Sequence, residues 1–189
     1  AEVKAHSDYC CTSANAVQVV NSIPGNREII FVPDQHLGTY VASQTGRNLI
    51  LYPGYCPTHA RITPKDVREA RTRHPEAAVM VHPECRRDVI DFADAALSTS
   101  GMLKYAAQSD APEIIVGTET DMLHRLRKEN PEKSFFALTE KATCPNMKKI
   151  TMEKILWSLQ DMQHKVEISE DIREKAALAV QRMVEVTGQ

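Results

Sequence analysis

The chain has 189 residues, 42% apolar and 25% charged, and its 23 Lys and Arg against 25 Asp and Glu leave a formal charge of −2; that length holds one domain or two small ones around a sizeable core. A near-neutral balance without a basic stripe argues against a nucleic-acid partner, and the absence of any apolar run approaching the ~18 to 20 residues of a spanning helix argues against a membrane. The five cysteines, Cys10, Cys11, Cys56, Cys85 and Cys144, include no CxxC pair and are odd in number, which speaks against a disulfide framework or a closed zinc finger and for reduced, cytoplasmic thiols.

In chain order, AEVKAHSD has neither an initiator Met nor the basic and apolar regions of a signal peptide, which reads as processing or truncation. The stretch DYCC reads as an apolar strand ending at Thr12-Ser13 before a helix; neighbouring thiols in a strand point to opposite faces, so Cys10 and Cys11, like Cys85, read as packing residues. A strand ends before Asp34, and a loop then carries Cys56-Pro57 and His59. Thr63 caps a helix with Pro64 at its first position and Asp66 in its first turn, running to about His74. AAVMVH (Ala77 to His82) is a short strand, followed by a helix through RRDVIDFAD, a strand near AALS and a helix from about Gly101. EIIVG, TDMLHRLRKEN and SFFAL give strand, helix and strand before Cys144-Pro145. The helix MEKILWSLQDM, a strand KVEI and a helix from Ser169 with Ile172, Ala176, Ala179 and Met183 on one face close the chain. Strands alternating with helices of roughly 10 residues predict parallel sheet covered by helices, an α/β fold.

The alternation is a repeat. SDYCCTSANAV matches ADAALSTSGML 86 positions on, and Cys56-Pro57 with Ile62-Thr63 matches Cys144-Pro145 with Ile150-Thr151 at a spacing of 144 − 56 = 88. Three segments follow: 1–60, an α/β domain incomplete at its N-terminus; 61–148, a complete one; and 149–189, a half-unit expected to pack on an N-terminal domain. The same period places a third equivalent cysteine roughly 30 residues before Ala1.

Residue chemistry alone leaves two readings at each candidate position. A Cys-Pro pair is a buried thiol in a turn or a metal thiolate. His82-Pro83-Glu84, past the carboxyl end of a strand, is a turn with a solvated acid or an acid–base pair. His59 is a loop histidine or a site residue. Thr12-Ser13 and Ser98-Thr99 are helix caps or, with helix N-terminal N–H groups, anion sites. Asp34 and Glu119 read as helix-start charges, Lys148-Lys149 as a solvated pair or an anion attractor, and Trp157 as an interface or core residue. His6, His36, His74, His124 and His164 belong to no constellation.

TSANAV, PDQHLGTYVASQTG, GYCPTH, VHPEC, STSGM, VGTETDMLHRL and CPNMKKIT, in this order, together resemble quinolinate synthase, the iron–sulfur enzyme of de novo NAD synthesis, over about the C-terminal two-thirds of that family's length. The resemblance implies two of three pseudo-threefold-related α/β domains plus a C-terminal half-unit. It also implies a [4Fe-4S] cluster with one open iron, held here by Cys56 and Cys144, the third cysteine lying outside this chain. It makes His82, Glu84 and His59 the catalytic residues and Ser13, Ser98, Thr99 and Asn15 the substrate-binding ones. The implied substrates are iminoaspartate and dihydroxyacetone phosphate, and the implied associations are with the remaining N-terminal segment or with a second copy. Two alternatives stand beside it: a catalytically incomplete α/β fragment that binds a small anion or a partner, and a zinc hydrolase using Cys56, His59 and His82.

Overall fold

A computed structural model describes residues 1–188. Its elements are α1 (Glu2–Ala5), α2 (Ala16–Ser22), β1 (Ile30–Phe31), α3 (Gln35–Thr45), β2 (Ile50–Leu51), α4 (Pro57–Ala60), α5 (Pro64–Arg73), β3 (Ala78–Val81), α6 (Arg87–Ile90), β4 (Ala95–Ala96), α7 (Thr99–Gln108), β5 (Glu113–Gly117), α8 (Met122–Glu129), β6 (Ser134–Ala137), α9 (Met152–Gln160) and α10 (Glu170–Thr187), with a 3-10 turn at Met147–Lys149. They fall into two compact units, Thr12–Thr143 and the combination of Ala1–Cys11 with Cys144–Gln189.

The larger unit is α/β with parallel strands throughout. β1 pairs with β2, Ile30 opposite Ile50. The second sheet has the order β4-β3-β5-β6, with Val81 opposite both Ala96 and Gly117 and Ile114 opposite Phe135. Its near-continuous apolar strands mark a sheet covered on both faces. Because strand side chains alternate, Val79, Val81 and Ile115 pack on one side with Val67 and Ala70 of α5 and Val89 of α6, whereas Met80, Ile114 and Val116 pack on the other with Met102 and Ala106 of α7 and Leu126 of α8. Every strand of this sheet therefore presents its carboxyl end to one edge, and the turns leaving β3, β4 and β5 emerge there. Gly38 lets α3 settle on the smaller sheet: a Cβ there would lie 2.5 Å from Leu51 Cδ2 and 3.0 Å from Phe31 Cδ1.

In the smaller unit α1 packs against α10, the Cys10 N–H donates to Ala179 O at 2.9 Å, and Arg182 donates to Asp8 O and stands over the Tyr9 ring. Ala176 and Ala179 are its buried α10 residues, with Ile172 and Met183 half-buried on the same stripe. No helix of the described residues is long and apolar enough to cross a membrane.

Three local expectations differ. Cys10–Cys11 is not a strand, since its one backbone bond goes to a helix carbonyl. KVEI is irregular and exposed, Val166 by 82%; a β-prone stretch without a neighbouring ladder to take its N–H and C=O groups does not become a strand. Of the two readings of Trp157, its 57% exposure leaves the interface one and not the core. The helix through RRDVIDFAD is also shorter than expected, ending at Ile90.

Candidate functional site

The carboxyl edge of the larger sheet gathers side chains from four separated stretches. β3 ends at Val81 and delivers His82 and Glu84; β5 ends at Gly117 and delivers Thr118; the turn before α2 delivers Ser13; the loop after β2 delivers Cys56 and, on α4, His59. Cys56 is the N-cap of α4 with Pro57 at the first helical position, so His59 follows on the same short turn. The loop is fixed from below. Asp34 accepts the Leu37 N–H at 2.8 Å, capping α3, and with its other oxygen accepts the Cys56 N–H at 2.7 Å. Gly54 permits that crossing, because a Cβ there would collide with the Pro33 carbonyl.

His59 and His82 are both buried and stack with centroids 4.5 Å apart and planes 17° from parallel. His59 Nε2 is 2.9 Å from Thr118 Oγ1, and its Nδ1 is 3.0 Å from Glu84 Oε2. The latter approach lies off the hydrogen-bond direction, so Nδ1 is a fully buried nitrogen held by charge without a well-directed bond. Cys56 Sγ, His59 Nδ1 and a Glu84 oxygen lie within 4.8 Å of one another. On the neighbouring ring, His82 Nδ1 accepts the Glu84 N–H at 3.3 Å, which places the proton on Nε2, where it faces Ser13 Oγ at 3.2 Å.

These contacts drive the two imidazoles apart in protonation. Burial alone pushes His59 down, but its contacts with Cys56 and Glu84 prevail and lift it to about 9. Burial pushes His82 down, the His59 charge adds to it, and Glu84 does not compensate, giving about 4. The His59 contact holds the Glu84 carboxyl below the usual carboxylate range against its burial. The same contact brings the Cys56 thiol below the ordinary thiol value. At neutral pH the cluster thus holds an imidazolium, a neutral imidazole and a carboxylate, beside a Cys56 thiol that ionises more readily than an ordinary one.

The predicted residues are distributed unevenly. Ser13, Cys56, His59, His82 and Glu84 converge. Ser98 and Thr99 sit at the carboxyl end of β4, the neighbour of β3, but Ser98 Oγ is occupied in capping α7 through the Gly101 N–H at 3.1 Å, and Thr99 is exposed in the first turn. Asn15 is buried and turned back on its own loop, its Oδ1 accepting the Thr12 N–H at 2.7 Å. Cys144, partly exposed, belongs to the other unit. Cys85 is fully buried, its thiol pushed up to about 12 by desolvation, consistent with a packing role. Thr118 and the Asp34–Cys56 tie carried no separate signal in the sequence, although Thr118 directly follows a strand, as His82 does. A polar cavity of about 840 Å³ lined by Asp66, His74, Thr120, Phe136 and Lys141 includes none of the gathered residues.

Comparison with known proteins gives a consistent result. The family model described as quinolinate synthetase A protein matches residues 1–185. A quinolinate synthase of Dehalococcoides mccartyi is 54% identical over 99% of this chain and 62% of its own length. Quinolinate synthase 2 of Methanosarcina acetivorans is 49% identical over 100% and 60%, and a quinolinate synthase of Thermodesulfovibrio yellowstonii 48% over 97% and 61%. The chain thus spans about three-fifths of the length of these relatives.

Proposed function

Because this chain belongs to the quinolinate synthase family, we propose that it carries the acid–base and anion-binding part of a quinolinate synthase. The whole protein would condense iminoaspartate with dihydroxyacetone phosphate and release phosphate and two waters as the pyridine ring closes. The observation that carries this reading is the convergence of Cys56, His59, His82, Glu84 and Ser13 at one sheet edge, since ring closure with two dehydrations needs proton donors and acceptors side by side.

The protonation pattern supplies both. His59, an imidazolium backed by Thr118, offers a proton at Nδ1. Glu84, ionised beside it, accepts one at a carboxylate oxygen. His82 stays neutral and orients Ser13 through Nε2. Groups of like type driven to opposite states by their surroundings mark an acid–base division of labour. The hydroxyls of Ser13, Ser98 and Thr99, the last two at the N-terminus of α7, are suited to carboxylate or phosphate oxygens, with Asn15 supporting the Thr12–Ser13 turn.

The donor chemistry fits a [4Fe-4S] cluster. Cys56 is half-buried, its thiol held below the ordinary value by His59, and anchored through its backbone by Asp34, and Cys144 offers a second, partly exposed thiol; soft thiolates suit iron in clusters. A cluster held by Cys56 and Cys144 would supply Lewis acidity toward substrate oxygens.

Anaerobic reconstitution followed by iron and acid-labile sulfide analysis and a quinolinate assay tests the reading. Equal iron and sulfide, both lost in Cys56→Ser and in Cys144→Ser, support it, and so does quinolinate formation abolished by Glu84→Gln. Incorporation that ignores both substitutions overturns the ligand assignment. A loaded protein that binds phosphate but forms no quinolinate favours the alternative of an anion-binding fragment.

A further inference from the structure

We propose that Cys56, His59 and Glu84 form a site for a single divalent transition-metal ion of the zinc type, bound through Sγ, Nδ1 and a carboxylate oxygen, and mutually exclusive with any cluster on Cys56. The site rests on this chain's own geometry and does not depend on the function proposed above.

Four observations converge. The three donor atoms already lie within 4.8 Å of one another in two neighbouring loops. His59 Nδ1 is buried without a directed hydrogen bond although a carboxylate oxygen is 3.0 Å away. Two acceptors facing each other that closely need a positive charge between them, which a proton supplies off-axis and a dication supplies to both. Thr118 Oγ1 engages the opposite ring nitrogen at 2.9 Å and so turns Nδ1 inward; a hydrogen bond on the far nitrogen is the usual support of a metal-binding histidine. Asp34 holds the Cys56 N–H at 2.7 Å, so the thiol is placed before any ion arrives.

The donor set selects the ion. Thiolate, imidazole and carboxylate together suit zinc or ferrous iron, whereas calcium and magnesium require oxygen ligands. Three protein ligands leave a fourth, open position. Binding forms three metal–ligand bonds and sends the His59 Nδ1 proton, and any remaining Cys56 proton, to solvent. His82 is not a ligand, since Nδ1 accepts the Glu84 N–H and Nε2 faces Ser13; the set therefore differs from the Cys56–His59–His82 set that the zinc-hydrolase alternative would use. One consequence concerns regulation. The ion occupies the proton donor and acceptor assigned above and takes the thiolate that a cluster iron would need, so its binding silences the site.

The test is anaerobic titration of the chelator-treated chain with Co²⁺, followed by competition with Zn²⁺. The proposal expects saturation at one equivalent, a thiolate-to-cobalt charge-transfer band with intense visible bands of low-coordinate cobalt, and loss of both on adding zinc. Cys56→Ala removes the charge-transfer band, whereas the double variant Cys10→Ala, Cys11→Ala keeps it. Glu84→Gln weakens binding at least tenfold, and Thr118→Val weakens it about 10- to 100-fold with recovery in Thr118→Ser. Circular dichroism identifies any variant that has failed to fold, and the near-isosteric Glu84→Gln then decides. Absence of cobalt binding overturns the proposal, as does a charge-transfer band that survives Cys56→Ala or an affinity untouched by Glu84→Gln.

Discussion

Cys56–Thr63 and Cys144–Thr151, CPTHARIT and CPNMKKIT, are two copies of one design with opposite fates. Each runs from Cys-Pro through a short helical turn to Ile-Thr, and each Thr caps the next helix with nearly the same backbone, φ −123° and ψ 158° at Thr63 and φ −124° and ψ 161° at Thr151. Yet Ile62 is fully buried and Ile150 is 68% exposed. α5 buries Asp66, Val67 and Ala70, while α9 buries none of its residues. The lesson is one of levels. Capping and turn chemistry are written in a handful of adjacent residues and repeat with them, whereas burial depends on the strands beneath, here Val79, Val81 and Ile115 under α5.

The largest effect expected from this difference is on stability. Ile62→Ala opens a cavity among Val67, Val79 and Leu138 and costs about 2–5 kcal/mol, while Ile150→Ala stays within about 0.5 kcal/mol. Urea denaturation of the two variants beside the parent checks it, and equal losses would break the comparison.

Next in size is the chemistry of the cysteines. The second copy has Met147 where the first has His59. Contact with His59 is the leading cause of the lowered Cys56 thiol, so His59→Met moves the pH midpoint of Cys56 alkylation upward in the metal-free chain, followed by mass spectrometry of the labelled peptide. Cys85, near 12 and buried, stays unreactive. The two imidazoles also give stability opposite pH dependences. His59, raised to about 9, contributes stability that is full below its ordinary value and is lost as pH rises through about 9. His82, depressed to about 4, contributes stability present above its ordinary value and lost as pH falls through about 4. Ring-proton NMR titration of the metal-free chain follows each one directly, and a shared midpoint for the two would contradict the stacked arrangement.

Much of this was legible in the sequence, and the rest had physical reasons not to be. Thr63, Pro64 and Asp66 announced α5 because capping is local, and AAVMVH, EIIVG and SFFAL announced buried parallel strands because they are short apolar runs between helical patterns. KVEI misled because strand formation depends on a partner, which no window of residues contains. His82, Glu84, His59 and Cys56 were singled out by the family resemblance, their residue chemistry alone leaving two readings, but their shared charge state was not, since it arises from a stacking contact and a carboxylate brought together across 25 residues of chain, 84 − 59. Thr118 and Asp34 went unnoticed as supports because a side chain that grips another loop looks, in sequence, like any helix-start residue.

The smallest difference concerns the caps themselves. At Thr63 the box is reciprocal: Oγ1 accepts the Asp66 N–H at 3.3 Å, Asp66 Oδ2 accepts the Thr63 N–H at 2.8 Å and its hydroxyl at 2.5 Å, and Lys141 stands 3.6 Å from the other oxygen. At Thr151 the third helical residue is Lys154, which gives its N–H to Oγ1 at 3.3 Å and has no carboxylate to return. Thr63→Ala therefore costs toward the upper end of about 0.5–2 kcal/mol and Thr151→Ala toward the lower. Burial alone would raise Asp66, but its hydrogen bonds to Thr63 prevail and hold it below the usual range, so its contribution is present above the ordinary carboxylate value of about 3.9 and is lost as pH falls through its lower folded value. Urea unfolding of both variants from neutral pH down past that value checks the sign. The Thr63→Ala deficit shrinks on the acid side as Asp66 becomes protonated and the box opens in the parent as well; a Thr63→Ala deficit that persists unchanged into acid would mean that the hydroxyl alone, and not the reciprocal pair, sets the strength of the first cap.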